Sequence, residues 1–234
     1  MSGAPADQTS ASVADAHAAR ANAPVDAWVR APRAGDEEAI ATLVLAAVGA
    51  TVDVIDASQF ATTVCTSDGA TRIPHGTGRV LVAGLSGATE PVSMLYVTPP
   101  VRLVEEFDTR GPSTQKLLAR EVREIELMAT APTAQCNGVG SALLHAAHAL
   151  VTKEGVRVML AKVSASDFPV LRWWRHRGYT LAQPGQSVRL HLPQSVTCND
   201  GYNGYRLAVC PLVGTVSERR GLLHVRPKEM DSAR

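Results

Sequence analysis

Along residues 122–130 the side chains alternate. Val122, Glu124, Glu126, Met128 and Thr130 share one parity, and Arg123, Ile125, Leu127 and Ala129 share the other. A period of two predicts a strand, with Ile125, Leu127 and Ala129 as its core face. Residues 139–152 change to helical spacing, 156–163 return to an apolar strand-like run, and 167–177 read as helix again. Strands alternating with helices predict a βαβα core with at least one parallel pair.

The flanks carry weaker patterns. Trp28-Val29-Arg30 predicts a short first strand. Gly35-Asp36-Glu37-Glu38 opens a helix with Asp36 as N-cap, its acids lie at the positive end of the dipole, and Ile40, Leu43, Val44 and Val48 form its buried stripe. Residues 52–60 predict a second helix, and 71–77 read as loop. Strands at 79–83 and 92–97 are joined as a hairpin through the Gly-, Ser- and Pro-bearing stretch 84–91. Pro99-Pro100 and Gly111-Pro112 frame an insertion, 98–120, with helical turns over 113–120. Further strands are expected at 179–181, 188–192 and 205–209. Residues 1–25 hold almost no large apolar side chain and are expected to be disordered. This leaves one domain over 26–212 and a polar tail over 213–234.

Composition narrows the function. A 234-residue chain that is 45% hydrophobic can bury a real core. A formal charge of +1 and 4% aromatic residues argue against direct nucleic-acid binding. No apolar run approaches membrane-spanning length, so no membrane role is expected. Cys65, Cys136, Cys198 and Cys210 are scattered, with no CxxC pair. They read as reduced thiols of an intracellular protein of the cytoplasm or nucleus.

The strongest chemical signal is Gln135-Cys136-Asn137-Gly138-Val139-Gly140-Ser141, which joins the 122–130 strand to the following helix. A glycine-bearing loop there points backbone N–H groups at one spot, and the helix dipole adds positive potential, which suits a pyrophosphate. A dinucleotide fingerprint needs a third small residue where Leu143 stands, and a P-loop needs Gly-Lys-Ser/Thr. A plain tight turn using Asn137-Gly138 for positive φ is the bland alternative.

The loop resembles the Arg/Gln-x-x-Gly-x-Gly/Ala loop of the Gcn5-related N-acetyltransferase (GNAT) superfamily. Gln135, Gly138 and Gly140 fill its defining positions, and Pro132 and Ala142-Leu143-Leu144 fit its flanks. Asp167 through Gly178-Tyr179 is similar to that family's Asn-x-x-Ala-x-x-Leu-Tyr-x-x-x-Gly-Phe segment. The likeness spans about residues 28–182. It implies an α/β fold: a central, mixed, mostly antiparallel sheet splayed at one parallel pair and flanked by helices. It also implies acetyl-CoA as cosubstrate and no metal. Backbone groups of Met128, Ala129 and Thr130 would then lie along pantetheine, with the Met128 N–H as oxyanion donor. The amides of Cys136, Asn137, Gly138, Val139, Gly140 and Ser141 would hold the pyrophosphate.

Two carboxylates on one face of a central strand are unusual for packing alone. Burial and a like-charged neighbour both raise a carboxylate pKa toward that of a working base. Glu124 also stands eleven residues before Gln135, the offset of the catalytic glutamate in Gcn5-type lysine acetyltransferases. The resemblance therefore implies Glu124 as general base, with Glu126 second, and a protein lysine, histone tails included, as acceptor. A small-molecule amine is the rival acceptor. The bland alternative has both carboxylates solvated, paired with Arg123 or Lys116. Many members of the family carry a tyrosine where this chain has Trp174. An indole N–H is too poor an acid to protonate a thiolate, so Trp174 is assigned to packing against pantetheine. A non-catalytic acyl-CoA-binding or scaffold module is the alternative of a different class. His145 and His148 read as solvent-facing. Arg172, Arg175, His176 and Arg177 read as a solvated basic face or as partners of a coenzyme A 3′-phosphate. The oligomeric state has no signature in the sequence.

Overall fold

The sheet is antiparallel at every described pairing except one, and that exception organises the molecule. The computed structural model describes residues 26–48, 53–106, 112–183, 186–192, 195–199, 204–213 and 223–227. Strands β1 (Ala27–Arg30), β3 (Gly76–Leu85), β4 (Ser93–Thr98), β5 (Val122–Thr130), β6 (Val158–Ser164), β10 (Tyr205–Pro211) and β7 (Thr180–Leu181) lie side by side in that order. β2 (Ala70–Ile73) shares the outer edge of β3 with β1. Only β5 and β6 run parallel, and their register covers Val122↔Val158 to Ile125↔Ala161 and no further. A separate antiparallel sheet has the order β11 (Leu223–Pro227), β8 (Gln186–His191), β9 (Ser195–Asn199).

Helices cover both faces. On one face, α5 (Val139–Lys153) and α6 (Phe168–His176) bury Leu143, Leu144, Leu171 and Trp174 against Ala83, Leu95, Ile125 and Met159. On the other, α1 (Glu37–Val48) and α2 (Val54–Thr66) pack Ile40, Leu43, Ala61 and Val64 against Val80, Met94 and Ala129. Beside them, α3 (Val101–Glu106), α4 (Pro112–Glu121) and β8 bury Leu103, Leu118, Val188 and Leu190 over Val122, Leu160 and Val209. This is the splayed, mixed, mostly antiparallel α/β architecture expected from the sequence.

Strict alternation fails inside β5. Tyr96 of β4 pairs with Leu127, yet its neighbour Val97 pairs with Ile125, so Glu126 is an extra residue, a β-bulge. The bulge switches parity. Ile125 packs with Met128 under α5, whereas Leu127 and Ala129 pack under α1 and α2. The single core face Ile125–Leu127–Ala129 read from the sequence is therefore corrected. Glu124 and Met128, expected on one face, lie on opposite faces.

Other expectations shift for local reasons. Residues 71–77 form a hairpin rather than a loop: Ile73 pairs with Gly76 around Pro74-His75, where Pro fixes the first φ and His75 takes φ 68°. The 98–120 insertion holds two helices, α3 and α4. The expected second helix runs on to Thr66. The expected tail supplies β11, so 213–234 is not wholly outside the folded unit. The expectation of disorder over 1–25 concerns residues outside those described.

Asp36 sits at the start of α1, but it turns its carboxylate back. It accepts from Arg30 Nη2 at 2.8 Å and from the Arg33 amide at 2.9 Å. Burial works to raise the Asp36 pKa, the hydrogen bonds from Arg30 and the Arg33 amide outweigh it, and the net direction is downward. A depressed carboxylate pKa adds stability above the unfolded value of about 4, and that stability is lost as pH falls through the folded value. Asp36→Asn is expected to cost about 2 kcal/mol at neutral pH, because it leaves the half-buried Arg30 unpaired, and less below about pH 4. Urea unfolding of both proteins across pH checks it.

Candidate functional site

Where β5 and β6 part, a gap opens. Beyond Ile125 and Ala161 the two strands no longer pair, so alternate residues of 126–130 turn backbone N–H and C=O groups toward an unpartnered edge. An extended ligand can complete such an edge with main-chain hydrogen bonds.

The loop after β5 supplies donors. A 3₁₀ turn over Pro132–Ala134 leads into left-handed residues at Cys136, φ 62°, and Gly138, φ 78°. The plain-turn alternative put positive φ at Asn137-Gly138, and the structure has it at Cys136 and Gly138, on either side of Asn137. Gly138 caps α5 without a side-chain hydrogen bond. Among the described residues, the amides of Cys136 to Gly140 donate to no backbone carbonyl, and bonding resumes with Ser141 and Ala142, both to Gly138 O. Five free amides at a helix N-terminus are the donor set that an anion cradle requires. Gly140 lets the helix start lie close to β5, since a Cβ there would stand 3.2 Å from Thr130 Oγ1 and 3.3 Å from Met128 Cε. Gln135 braces the loop, donating from Nε2 to Thr130 O at 3.2 Å.

The cradle is one end of a groove of about 540 Å³. Met128, Thr130, Gln135, Cys136, Gly138, Gly140, Ser141 and Trp174 line it, so eight of the eleven residues expected to bind cofactor come together. The side chains of the other three, which were expected to act through their backbone groups, lie elsewhere: Val139 is fully buried, Ala129 packs on the opposite face, and Asn137 is exposed. Ala134, Asp167, Pro169, Val170, Trp173 and Arg177 complete the wall. Asp167 caps α6, accepting from the Val170 amide at 3.1 Å, and Gly178, φ 87°, ends it, both as read from the sequence. Trp174 stacks edge-on against Tyr179 with centroids 4.6 Å apart, and Arg177 lies over the Trp173 ring at 5.7 Å.

The carboxylates lie on the other face, at the foot of the gap. Glu124 is buried, and its Oε1 takes an ion pair from Lys162 Nζ at 2.7 Å. Neither expected partner, Arg123 or Lys116, fills that place. Arg123 instead lies 3.7 Å from Glu154. Glu126 keeps an accessible surface, and Thr98 Oγ1 donates to it over a long 3.4 Å. Glu126 is exposed, yet protein atoms around its carboxyl still disfavour the charged form. Burial and the neighbouring Glu124 charge raise its pKa, Lys162, Thr98 and Arg102 oppose them, and the net direction is upward. Tyr96 stands beside it, bonded to Thr71 at 2.9 Å and edge-on to Phe60. Lys162 was missed in the sequence, although a lone lysine in Val158–Ser164 was a visible signal.

His148 does not face solvent as expected. It is half-buried and bonded to Tyr179 Oη at 2.9 Å, and burial, aided by His145, lowers its pKa to about 4. Among the described residues no cluster of three or more His, Cys, Asp or Glu is placed to hold a metal ion. None of the described helices is long and apolar enough to cross a membrane.

Residues 79–179 match the model of the Acetyltransferase (GNAT) family. Solved structures share the fold. A GCN5-related N-acetyltransferase from Kribbella flavida is 18% identical, with 80% of this chain and 98% of that one covered and a TM-score of 0.53. Ard1 from Thermoplasma volcanium is 13% identical, with 81% and 100% covered and a TM-score of 0.52. The yncA protein from Salmonella typhimurium, solved with its cofactor acetyl-CoA, is 15% identical, with 82% and 96% covered and a TM-score of 0.51. No curated protein matches the sequence.

Two predictions follow from this geometry. Gly140→Val should weaken coenzyme A binding about tenfold or more, ~1.4 kcal/mol, in calorimetry, and lower the melting temperature as well, because the added side chain presses on Thr130 and Met128. A lowered histidine pKa costs stability as pH falls from the unfolded value of about 6.5 toward the folded value of about 4. His148→Gln keeps a partner for Tyr179 without titrating, and should flatten that part of the stability-versus-pH curve.

Proposed function

We propose, from the match of residues 79–179 to the acetyltransferase (GNAT) family model, that this chain transfers acetyl from acetyl-CoA to a primary amine by direct attack. The observation that carries the reading is the unpartnered β5 edge, which begins at the last β5–β6 pair and ends at five free amides. Diphosphate at the α5 N-terminus, pantetheine along residues 126–130 and a thioester near the foot of the gap fit that order. A preorganised β5 amide, with Met128 the sequence candidate, would stabilise the developing oxyanion. Trp173 and Trp174 wall the groove, and Arg177 at its rim suits a phosphate.

An ammonium acceptor must lose a proton before it attacks. Glu126 suits that task better than Glu124: it is accessible and its pKa is raised, whereas Glu124 is buried and engaged by Lys162. This reverses the order taken from the eleven-residue offset. A protein lysine, including one on a histone tail, is the acceptor in this reading, since a single ammonium on a flexible stem can reach Glu126. The α3–α4 and β8–β9–β11 layer over the same face favours a small amine as the second reading.

Acetyl-CoA should raise the melting temperature of the chain through linkage. Thiol release with lysine peptides or small amines should fall about 100-fold in Glu126→Gln and much less in Glu124→Gln. The opposite ranking restores Glu124 as base. Peptide-independent release with small amines alone removes the protein acceptor. Acetyl-CoA binding without any release supports a non-catalytic module.

A further inference from the structure

Lys162 is the first residue of β6 past the last β5–β6 pair, and it reaches back across the strand boundary to Glu124 at 2.7 Å. Its side chain is 22% accessible and that of Glu124 is 5%. Glu126, the bulged residue, stands two positions along from Glu124 on the same side as Thr98, which bonds Glu126 and pairs with Glu124. Two carboxylates and one ammonium thus gather where the sheet divides.

We propose that Lys162 is a positioning residue: it fastens β5 to β6 at the foot of the split and supplies the counter-charge that lets Glu124 and Glu126 stand side by side as two carboxylates. The inference rests on the acetyl-transfer reading, with Glu126 as base. A carboxyl group near a second carboxylate with no cation beside them keeps its proton to higher pH, and a base that already holds a proton cannot take another. Among the described residues, the charged groups acting on Glu126 are Glu124 on its own strand, Lys162 on β6 and Arg102 on α3. Tyr96 on β4 stays neutral because burial raises its pKa further. Lys162 makes no contact with the acetyl group in this scheme. It acts by charge, pairing with Glu124 and facing Glu126.

The test is the pH dependence of kcat/KM in the 234-residue chain, with Lys162→Met, Lys162→Arg and Glu124→Gln beside the wild type. Lys162→Met should move the acidic limb up by about one pH unit and lower activity at neutral pH about tenfold. Lys162→Arg should restore most of both. Glu124→Gln leaves the cation facing Glu126 alone and should move the limb the other way. Acetyl-CoA affinity, measured by calorimetry, should stay within about twofold in all four proteins. An unmoved limb in Lys162→Met, or a lost coenzyme A affinity with no change in the limb, overturns the inference and leaves Lys162 a strand fastener only. If Lys162→Met does not fold, Glu124→Gln decides alone: a limb that stays put or moves up overturns it. If the wild type transfers no acetyl group, the preceding reading fails. Carboxyl ¹³C titration of Glu126 in the wild type and in either variant then decides this one, with shifts of the same signs expected and their absence overturning it.

Discussion

The rest of the structure depends on where two parallel strands stop bonding. β5 and β6 hold together from Val122↔Val158 to Ile125↔Ala161 and then separate. A sheet interior that gives up hydrogen bonds leaves polar backbone without partners, which costs free energy unless something else supplies them. Here the loss is placed between a glycine-capped helix end on one face and a carboxylate pair on the other. The same discontinuity therefore creates a docking edge and joins the two faces. Lys162–Glu124 crosses that discontinuity at its foot, where the last backbone pairing gives way to a side-chain ion pair.

The bulge at Glu126 explains how one strand serves both faces. With strict alternation, Glu124, Glu126, Met128 and Thr130 would all point the same way. One inserted residue lets Met128 and Thr130 line the groove under the α5 N-terminus while Glu124 and Glu126 remain opposite, with Thr98. The helix face and the α1–α2 face are packed independently, so neither has to yield for the other.

Much of this was legible in the sequence because it is local. The bounds of β5, the start of α5, the caps at Asp167 and Gly178, and the amide cradle all follow from neighbouring residues and backbone chemistry. What the sequence hid depends on partners distant along the chain. A bulge is a mismatch between two strands, and nothing in residues 122–130 announces it. The Glu124–Lys162 pair depends on the β5–β6 register. His148 is hidden by Tyr179, which a helical period cannot foresee. The β2 hairpin was masked by Pro74 and Gly76, which read as breakers although they form its turn.

The small sheet has a consequence for any shortened form of the chain. β8 is its middle strand, and β11, which begins at Leu223, covers one of its edges. Trimming at residue 212, the boundary that polarity suggests, would strip that cover. Val188 and Leu190, which anchor β8 in the core, would then sit on a strand with a bare backbone edge. Such an edge invites pairing between molecules and aggregation, so the fragment cut to the apparent domain would be stickier than the 234-residue chain.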